Sequence, residues 1–316
     1  MMDQLPYLDA ATVERLVPVA HAVHLLEDAL RGGLDPEETP RRPVVGLPAG
    51  QLLLMPAAAG RYAGLKAVTI APGNPARGLP RIQGTYLLFD GATLAPLAAL
   101  DGGALTSLRT PAVSALAVRH LAEPDARDLV VFGSGPQAWG HVAALAQVRP
   151  VARVTVAGRD QGRAEALVSH CRERGLDARA VSGERPVAEA VAGADLIACC
   201  TTARRPLFAG DLVRDGATVV AVGSHEPDAR ELDDTLVGRA TLVVEARAAA
   251  LAEAGDVMIP IRHGTITSRH LAGNLAELIA GQVTAGTGPR VFKSTGMAWQ
   301  DLVVAAAAYE AWWDRT

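Results

Sequence analysis

Short apolar runs alternate with amphipathic stretches through the middle of the chain. Between Asp128 and Ala246 the apolar runs are DLVVFGSG, RVTVAG, DARAVS, DLIACCT, ATVVAVG and TLVVEA. Helical spacing separates several of them, as in PQAWGHVAALAQVR, where the proline falls in the first turn, in DQGRAEALVSHCRERG and in PVAEAVAGA. Continuous apolar strands joined by helices are typical of a parallel sheet covered on both faces. The pattern predicts an α/β domain with a doubly wound parallel sheet.

The residues before Asp128 follow a different pattern. Apolar residues at helical spacing predict an amphipathic helix over roughly Ala11–Arg31. Strand-like segments then alternate with turns, in QLLLMPA, GLKAVTI, GTYLLFD and LAPLAAL, and Asp90-Gly91 marks a hairpin turn. These segments predict an antiparallel sheet and therefore a second, α+β domain.

Two more helices are predicted at the borders of these regions. GGALTSLRTPAVSALAVRHLA is expected to lead into the parallel-sheet domain, and GMAWQDLVVAAAAYEAWWDRT forms a long amphipathic helix at the end of the chain. We expect this last helix to pack back on the first domain. The predicted division is one domain of residues 1–120 with 290–316 and another of residues 121–289.

Composition narrows the possible partners and location. The chain has 316 residues, of which 49% are apolar, and a formal charge of −4, so the length favours two domains and the charge argues against nucleic acid. The first residues lack the pattern of a signal peptide, and no apolar run approaches about 18 residues, so no membrane is expected. Cys171, Cys199 and Cys200 have no metal or redox spacing. We expect a cytoplasmic protein with reduced thiols and no metal.

A glycine motif follows the first apolar run of the parallel-sheet region. GSGPQA places Gly133, Gly135 and Ala138 in the spacing G-x-G-x-x-A, after a strand and before a helix. Gly133 permits the tight turn, Gly135 lets the backbone approach a pyrophosphate, and Ala138 keeps the helix close to the sheet. A glycine turn without a ligand has the same pattern, but the strand-turn-helix context favours a dinucleotide.

The end of the second strand, VAGRD, bears on the choice of nucleotide. An acid here usually binds the ribose hydroxyls of NAD, whereas an arginine suits the 2′-phosphate of NADP. Gly158 is followed by Arg159 and then Asp160, and Arg163 lies one helical turn on. Because the arginine comes before the aspartate, the sequence favours NADP(H) and leaves NAD(H) possible. The alternative is that Arg159 is only a solvated residue at the start of a helix.

Isolated cations occur within apolar patterns of the first domain. Lys66 stands in GLKAVTI and Arg109 in LTSLRTPA, with Arg41 and Arg42 further upstream. Arginine can bind a carboxylate through two parallel hydrogen bonds, and lysine adds a point charge. Taken singly, a lysine with its ammonium at the surface and a surface arginine would be the simpler interpretations. Together they are candidates for binding a carboxylate substrate.

In order along the chain, these segments resemble the ornithine cyclodeaminase/mu-crystallin family. The matching stretches are GLKAV, GLPRIQGTYLLFD, LTSLRTPAVSALA, VVFGSGPQAWGH, VGSHEPDARELDD, EAGDV and VFKSTGMAWQDL. The resemblance implies a homodimer with a Rossmann domain and a second domain for substrate binding and dimerisation. It implies that Arg42, Lys66 and Arg109 bind the carboxylate of an amino or imino acid. The cofactor site it implies comprises Gln83, Arg109, Gln137, Ala138, Thr201, Val222 and Ser294; the glycine motif adds Gly133, Gly135 and Pro136.

His225 distinguishes two activities within this family. In the cyclodeaminases an aspartate, thought to assist deamination and ring closure, follows the glycine pair that ends the strand; here GSHEPD puts His225 at that position. Glu226 and Asp228 are out of register by one and three residues, and a shift of one at a strand end turns a side chain to the other side. The stretch resembles the mu-crystallin and ketimine-reductase branch more closely.

The resemblance therefore predicts an NAD(P)H-dependent reductase of cyclic ketimine carboxylates, such as pyrroline-2-carboxylate and piperideine-2-carboxylate. Lys66, Arg109 and His225 are the predicted catalytic residues. His225 either relays a proton, for which its ordinary pKa of about 6.5 is suitable, or only shapes the pocket. Ornithine or lysine cyclodeamination, dehydrogenation of a linear amino acid such as alanine, and binding without turnover are the alternatives.

Overall fold

The structure is a computed structural model that describes residues 5–315, and it forms two compact units. One comprises the residues up to Arg109 together with those from Met297 onward, and the other is Thr110–Gly296. The first border lies inside a helix, Gly102–Leu121. The boundaries inferred from the sequence, 1–120 with 290–316 and 121–289, stay a prediction.

The first unit is built on a mainly antiparallel sheet. Its strands are β1 (Tyr7–Leu8), β2 (Val44–Leu47), β3 (Gly50–Ala59), β4 (Tyr62–Ile70), β5 (Ile82–Asp90) and β6 (Pro96–Asp101). They lie in the order β1-β6-β5-β4-β3-β2, with only β1 and β6 parallel. The predicted antiparallel sheet and the hairpin at Asp90 are thus confirmed.

Helices complete the first unit. They are α1 (Ala10–Leu16), α2 (Val19–Arg31), α3 (Gly102–Leu121) and the C-terminal helix (Ala298–Trp313), with short 3-10 turns at Pro36–Glu38 and Asn74–Arg77. The single helix predicted over Ala11–Arg31 is wrong, because Pro18 disfavours a helical conformation at Val17 and begins a new helix instead. The C-terminal helix packs on β3, β4 and α2, as predicted.

The second unit contains an entirely parallel sheet. Its strands are β7 (Asp128–Phe132), β8 (Arg153–Ala157), β9 (Asp177–Val181), β10 (Leu196–Cys199), β11 (Thr218–Ala221), β12 (Thr241–Val244), β13 (Leu271–Asn274) and β14 (Arg290–Lys293). The helices are α4 (Pro136–Leu145), α5 (Gln161–Glu173), α6 (Glu184–Ala192), α7 (Asp234–Arg239), α8 (Arg247–Glu253), α9 (Gly255–Arg262) and α10 (Leu275–Ile279), with 3-10 turns at Gly210–Leu212 and Ser268–His270.

The strand order of the second unit is β13-β12-β14-β11-β10-β7-β8-β9. The chain runs from β7 through β8 to β9 in one direction and then returns to β10 on the other side of β7. This reversal defines a topological switch point between β7 and β10, where ligands of doubly wound sheets bind at the carboxyl ends of the strands. The predicted Rossmann-type sheet is confirmed; the sequence did not predict β13 and β14.

Candidate active site

The predicted glycine loop lies at the switch point of the parallel sheet. Gly133 has φ +106°, and a Cβ there would lie 2.6 Å from the carbonyl oxygen of Cys200, so only glycine fits without strain. Gly135 is the N-cap of α4, and a Cβ on it would meet no atom within 4 Å. Pro136 opens the helix and Ala138 is fully buried. The open space at Gly135, in front of a helix start that no side chain caps, fits a pyrophosphate.

The two residues predicted to contact the ribose, at the end of β8, have different surroundings. Asp160 is the N-cap of α5, and its Oδ1 accepts the backbone N–H of Arg163 at 3.0 Å. Arg159 is exposed, and among residues 5–315 its side chain has no hydrogen bond or ion pair. Gly158 is half-buried beside Ala164 and Ser134. Asp160 therefore has a local structural role, whereas the Arg159 guanidinium is available to a ligand.

A buried carboxylate joins the loops that follow β10 and β11. Glu231 Oε1 accepts the backbone N–H of Thr201 at 2.8 Å and its hydroxyl at 2.7 Å, and Oε2 accepts the N–H of Gly223 at 2.8 Å. Burial raises the pKa of Glu231, although Lys293 opposes the rise. These bonds fix Thr201 directly and Val222 through its neighbour Gly223. One side chain therefore positions two of the predicted cofactor residues.

A second buried carboxylate fixes the loop after β14. Glu245 Oε1 accepts the hydroxyl of Ser294 at 2.9 Å, and Oε2 accepts the N–H groups of Thr295 and Gly296 at 2.9 and 2.8 Å. Glu231 and Glu245 were both missed by sequence reasoning. For Glu245 a signal was present, because a carboxylate directly after the apolar run TLVV cannot be buried without hydrogen-bond partners.

A buried ion pair lies beneath the loop that carries His225. Lys293 Nζ is 2.8 Å from Asp256 Oδ2 and donates to the carbonyl oxygen of Ser224 at 2.7 Å. Asp256 Oδ1 accepts the N–H groups of Glu231 and Leu232, each at 2.8 Å. The motif EAGDV thus contains the counter-ion of Lys293. The ion pair thus fixes Ser224, the residue immediately before His225. The His225 side chain is half-buried and follows the carboxyl end of β11.

The two acidic residues that follow His225 share one partner. Arg204 donates to Glu226 Oε2 at 2.6 Å and to Asp228 Oδ2 at 2.7 Å, and all three side chains are at least two-fifths exposed. Both carboxylates, the alternatives for acid–base chemistry in cyclodeamination, are therefore bound to a guanidinium.

The predicted carboxylate-binding cations of the first unit surround a buried aspartate. Lys66 Nζ lies 2.8 Å from Asp301 on the C-terminal helix and donates to the Thr106 hydroxyl at 3.1 Å. Arg109 donates to Asp301 Oδ1 at 3.2 Å and to Gln300 Oε1 at 3.0 Å. Lys66 is 1% and Arg109 5% exposed. The structure thus brings together Lys66 and Arg109, and adds Asp301 and Gln300, which the sequence did not indicate.

Burial and neighbouring charges lower the pKa of Lys66 to about 8. Desolvation is the largest cause; Asp301 opposes it, while the positive charges of Arg109 and Arg42 add to the lowering. Arg42 is half-buried and close enough to act on Lys66, whereas Arg41 is exposed. The three predicted carboxylate ligands therefore interact electrostatically within one unit.

The strand register separates Gln83 from this cluster. Lys66 pairs with Tyr86 and Thr69 with Gln83 between β4 and β5. Because side chains alternate along a strand, Gln83 lies on the sheet face opposite Lys66, and it is exposed. Tyr86 lies on the Lys66 face, fully buried, and its hydroxyl has no hydrogen-bond partner among the described residues. A contact between Gln83 and a cofactor stays a prediction.

Residues 5–315 contain no group of three or more His, Cys, Asp or Glu side chains arranged to hold a metal ion. In the same residues no helix has both the length and the apolar character needed to cross a membrane.

Comparison with known proteins identifies the class. The chain belongs to the ornithine cyclodeaminase/mu-crystallin family, whose model matches residues 7–316, which confirms the predicted family. A Delta(1)-pyrroline-2-carboxylate reductase of Bacillus cereus is 38% identical over 251 residues, covering 78% of this chain and 76% of that protein. A Delta(1)-pyrroline-2-carboxylate/Delta(1)-piperideine-2-carboxylate reductase of Azospirillum brasilense is 34% identical over 312 residues, 98% of this chain and 97% of that protein.

Solved structures agree with this placement. Delta(1)-pyrroline-2-carboxylate reductase of Thermococcus litoralis, in complex with NADH and L-proline, matches with a TM-score of 0.93 and 29% identity over 98% of both chains. An archaeal alanine dehydrogenase dimer with bound NAD matches with a TM-score of 0.92 and 30% identity over 98% of this chain and 97% of that one.

Proposed function

We propose that this protein is an NAD(P)H-dependent reductase of cyclic ketimine carboxylates, which converts pyrroline-2-carboxylate to proline and piperideine-2-carboxylate to pipecolate. The main observation is the buried group of Lys66, Arg109 and Asp301, whose formal charges sum to +1. A buried excess of one positive charge fits one substrate carboxylate. The names of the Bacillus and Azospirillum relatives, and the NADH and L-proline of the Thermococcus structure, support this substrate class.

The reduction requires a hydride at the imine carbon and a proton at the imine nitrogen. When bound, a reduced nicotinamide supplies the hydride. Lys66 and Arg109, with Arg42, bind the carboxylate next to the imine carbon and so fix the position of the carbon that is reduced. His225 delivers the proton to the nitrogen, directly or through water, and returns to the charged form by exchange with solvent. Thr201, Val222 and Ser294, in the loops after β10, β11 and β14, would hold the nicotinamide end of the cofactor.

We propose NADP(H) as the preferred cofactor, with NAD(H) also accepted. The free guanidinium of Arg159 supports a 2′-phosphate, and the use of Asp160 as a helix cap removes the usual partner of unmodified ribose. The structures of the Thermococcus reductase and of the archaeal dehydrogenase contain NADH and NAD, which supports a site that also tolerates the unphosphorylated ribose.

We propose that the protein acts as a homodimer. The archaeal alanine dehydrogenase was solved as a dimer. In the first unit the edge strand β2 is exposed at all four residues, and its apolar side chains Val44, Val45 and Leu47 are 53%, 45% and 45% exposed. Apolar exposure at a sheet edge is commonly covered by a partner.

Dehydrogenation of a linear amino acid is the second candidate, because the archaeal alanine dehydrogenase is about as similar in structure as the Thermococcus reductase. Its substrate also has a carboxylate, so Lys66 and Arg109 do not exclude it. Cyclodeamination is disfavoured because both candidate carboxylates, Glu226 and Asp228, are bound to Arg204.

The test is the rate of NADPH and NADH oxidation by the purified protein with each cyclic imine, compared with pyruvate plus ammonia. We expect oxidation with both imines and a higher kcat/KM for NADPH. Oxidation with pyruvate and ammonia but with neither imine would establish the alanine dehydrogenase instead.

A further inference from the structure

Asp301 is a buried carboxylate at the start of the C-terminal helix, and the proposed reaction gives it no direct role. The side chain is 0% exposed, lies in the first turn of the C-terminal helix and contacts cations from two other elements, β4 and α3. Its oxygens are 2.8 Å from Lys66 Nζ and 3.2 Å from Arg109 Nε. A buried carboxylate between two cations fixes both of them in space.

Gln300 supports the same arrangement from the preceding position. Its Oε1 accepts Arg109 Nη1 at 3.0 Å and the backbone N–H of Met297 at 3.2 Å. The guanidinium is therefore bound by two consecutive residues at the start of one helix. Because only part of its donor fork is used in this way, the remaining N–H groups can bind a carboxylate.

The charges around Lys66 explain why a counter-ion is needed. The groups that face it are Asp301 on the C-terminal helix, Arg109 and Thr106 on α3, Arg42 before β2, and Tyr86 as its cross-strand neighbour on β5. Asp301 is the only anion among them, against two other cations. In a desolvated site with like charges nearby, an ammonium without a counter-ion loses its proton.

We propose that Asp301 is a positioning residue that keeps the Lys66 ammonium charged and orients Lys66 and Arg109 as one pair for the substrate carboxylate. The inference rests on the proposed reductase function and adds the residue that sets its affinity for substrate. Asp301 does not contact the reacting atoms. It acts through the two cations. Its charge leaves the buried group of Lys66, Arg109 and Asp301 at +1, and the half-buried Arg42 adds a further positive charge that attracts the substrate carboxylate.

The role of Asp301 has a consequence for pH dependence. Lys66 must be protonated to bind a carboxylate, and its pKa in the free enzyme is about 8. Substrate capture is therefore complete below this pH and declines as the pH rises through it. Removing the charge of Asp301 removes the interaction that raises the pKa of Lys66, so the decline should begin at a lower pH.

The test compares Asp301→Asn and Asp301→Glu with the wild type and with Glu310→Gln as a matched control. Glu310 is on the same helix but exposed, and it bonds to Tyr62 at 2.8 Å instead of to the cluster. The measurements are the pH profile of kcat/KM with pyrroline-2-carboxylate, the separate kcat and KM values, and the Kd for NADPH.

For Asp301→Asn we expect KM at neutral pH to rise about 10- to 100-fold, as for loss of a charge-assisted contact, with a smaller change in kcat. The alkaline limb of kcat/KM should move to lower pH, while the Kd for NADPH should stay unchanged. Asp301→Glu should recover part of the loss in KM. Glu310→Gln should have the KM and the pH profile of the wild type. An unmoved limb with a normal KM would overturn the proposal, as would an equal effect of Glu310→Gln.

A second measurement covers the case in which Asp301→Asn does not fold. Binding of L-proline to the wild-type protein with NADP is titrated against pH, and we expect affinity to fall above about pH 8. Constant affinity from pH 6 to 10 (roughly two units on either side of this pKa) would contradict the role given to Lys66 and Asp301. If the wild type binds L-proline with this pH dependence but reduces neither imine, the proposed function fails and the positioning role stands.

Discussion

At the scale of single residues, the contacts of Arg204 bear on the choice between imine reduction and cyclodeamination. Its guanidinium binds both Glu226 and Asp228, at 2.6 and 2.7 Å, and these are the carboxylates nearest to His225 in the chain. Cyclodeamination needs a carboxylate that accepts and returns protons, whereas imine reduction needs a cation-lined carboxylate site and one proton donor. We propose that Lys66 and Arg109 line such a carboxylate site.

Arg159 should determine the preference between the two nicotinamide cofactors. We expect Arg159→Ser to raise the KM for NADPH about tenfold or more and to change the KM for NADH little, because only NADPH has a 2′-phosphate on the ribose for the guanidinium to bind. Steady-state kinetics with both cofactors provides the measurement, and Arg185→Ser, an exposed arginine paired with Glu189 on α6, is the control. Equal losses for NADPH and NADH would show that Arg159 does not bind the phosphate.

His225 should affect the chemical step more than substrate binding. Replacement by Asn keeps a polar side chain of similar size but removes the imidazole that would donate the proton, so we expect kcat to fall about 100-fold, within the range for a lost general acid. The KM for the imine should change much less. Single-turnover reduction at several pH values measures this step. A kcat within threefold of the wild type (roughly 0.7 kcal/mol) would mean that His225 only shapes the pocket.

Sequence reasoning could find Lys66 and Arg109 but not Asp301, for a physical reason. A charged residue inside an apolar strand or helix pattern stands out locally, because its burial needs a compensating partner. The partner itself is 235 positions away from Lys66 in the chain, and the helical pattern of WQDLVV has no local feature that marks Asp301 as buried. Such a pair is defined by tertiary packing alone.

At the scale of elements, one glycine of the antiparallel sheet makes room for a buried tyrosine on the neighbouring strand. A Cβ on Gly64 of β4 would lie 2.0 Å from the hydroxyl oxygen of Tyr86 on β5, and the Tyr86 side chain is fully buried. Tyr86 is also the cross-strand neighbour of Lys66. Gly64 therefore allows the tyrosine to occupy the space beside Lys66.

We expect Gly64→Ala to destabilise the protein by about 1–3 kcal/mol, the usual cost of overpacking a core. Gly46→Ala in β2 is the matched control, since a Cβ there meets nothing within 4 Å. Chemical denaturation followed by fluorescence gives both free energies of unfolding. Equal stability of the two variants would mean that Tyr86 moves aside without cost.

The elements themselves were predictable where the pattern was continuous. Apolar runs such as DLVVF and ATVVAV are buried on both faces of the parallel sheet, which explains why β7 and β11 were evident. β13 and β14 were not predicted, since LAGN and RVFK are short and contain polar or small residues. The polar positions in them are used: Lys293 forms the buried pair with Asp256, and Asn274 caps α10.

At the scale of the whole molecule, each unit contains its own group of predicted site residues. The first contains Lys66, Arg109 and Asp301, and the second contains the glycine loop and the loops fixed by Glu231 and Glu245. The fold class followed from the pattern of strands and helices and the family from its motifs. The position of the unit border within α3 could not be predicted, because a continuous helix gives no change of pattern at Arg109.

The central claim is that hydride from the cofactor reaches the imine carbon of a preformed cyclic ketimine. The most direct measurement supplies NADPH labelled with deuterium at C4, together with pyrroline-2-carboxylate, and determines the product by mass spectrometry while a parallel sample with ornithine and NAD is assayed for ammonia. We expect proline with one deuterium at the α-carbon and no ammonia from ornithine. Unlabelled proline formed from NADPH that carries deuterium at both C4 positions would contradict hydride transfer to the imine carbon. Ammonia released from ornithine without net cofactor turnover would identify a cyclodeaminase.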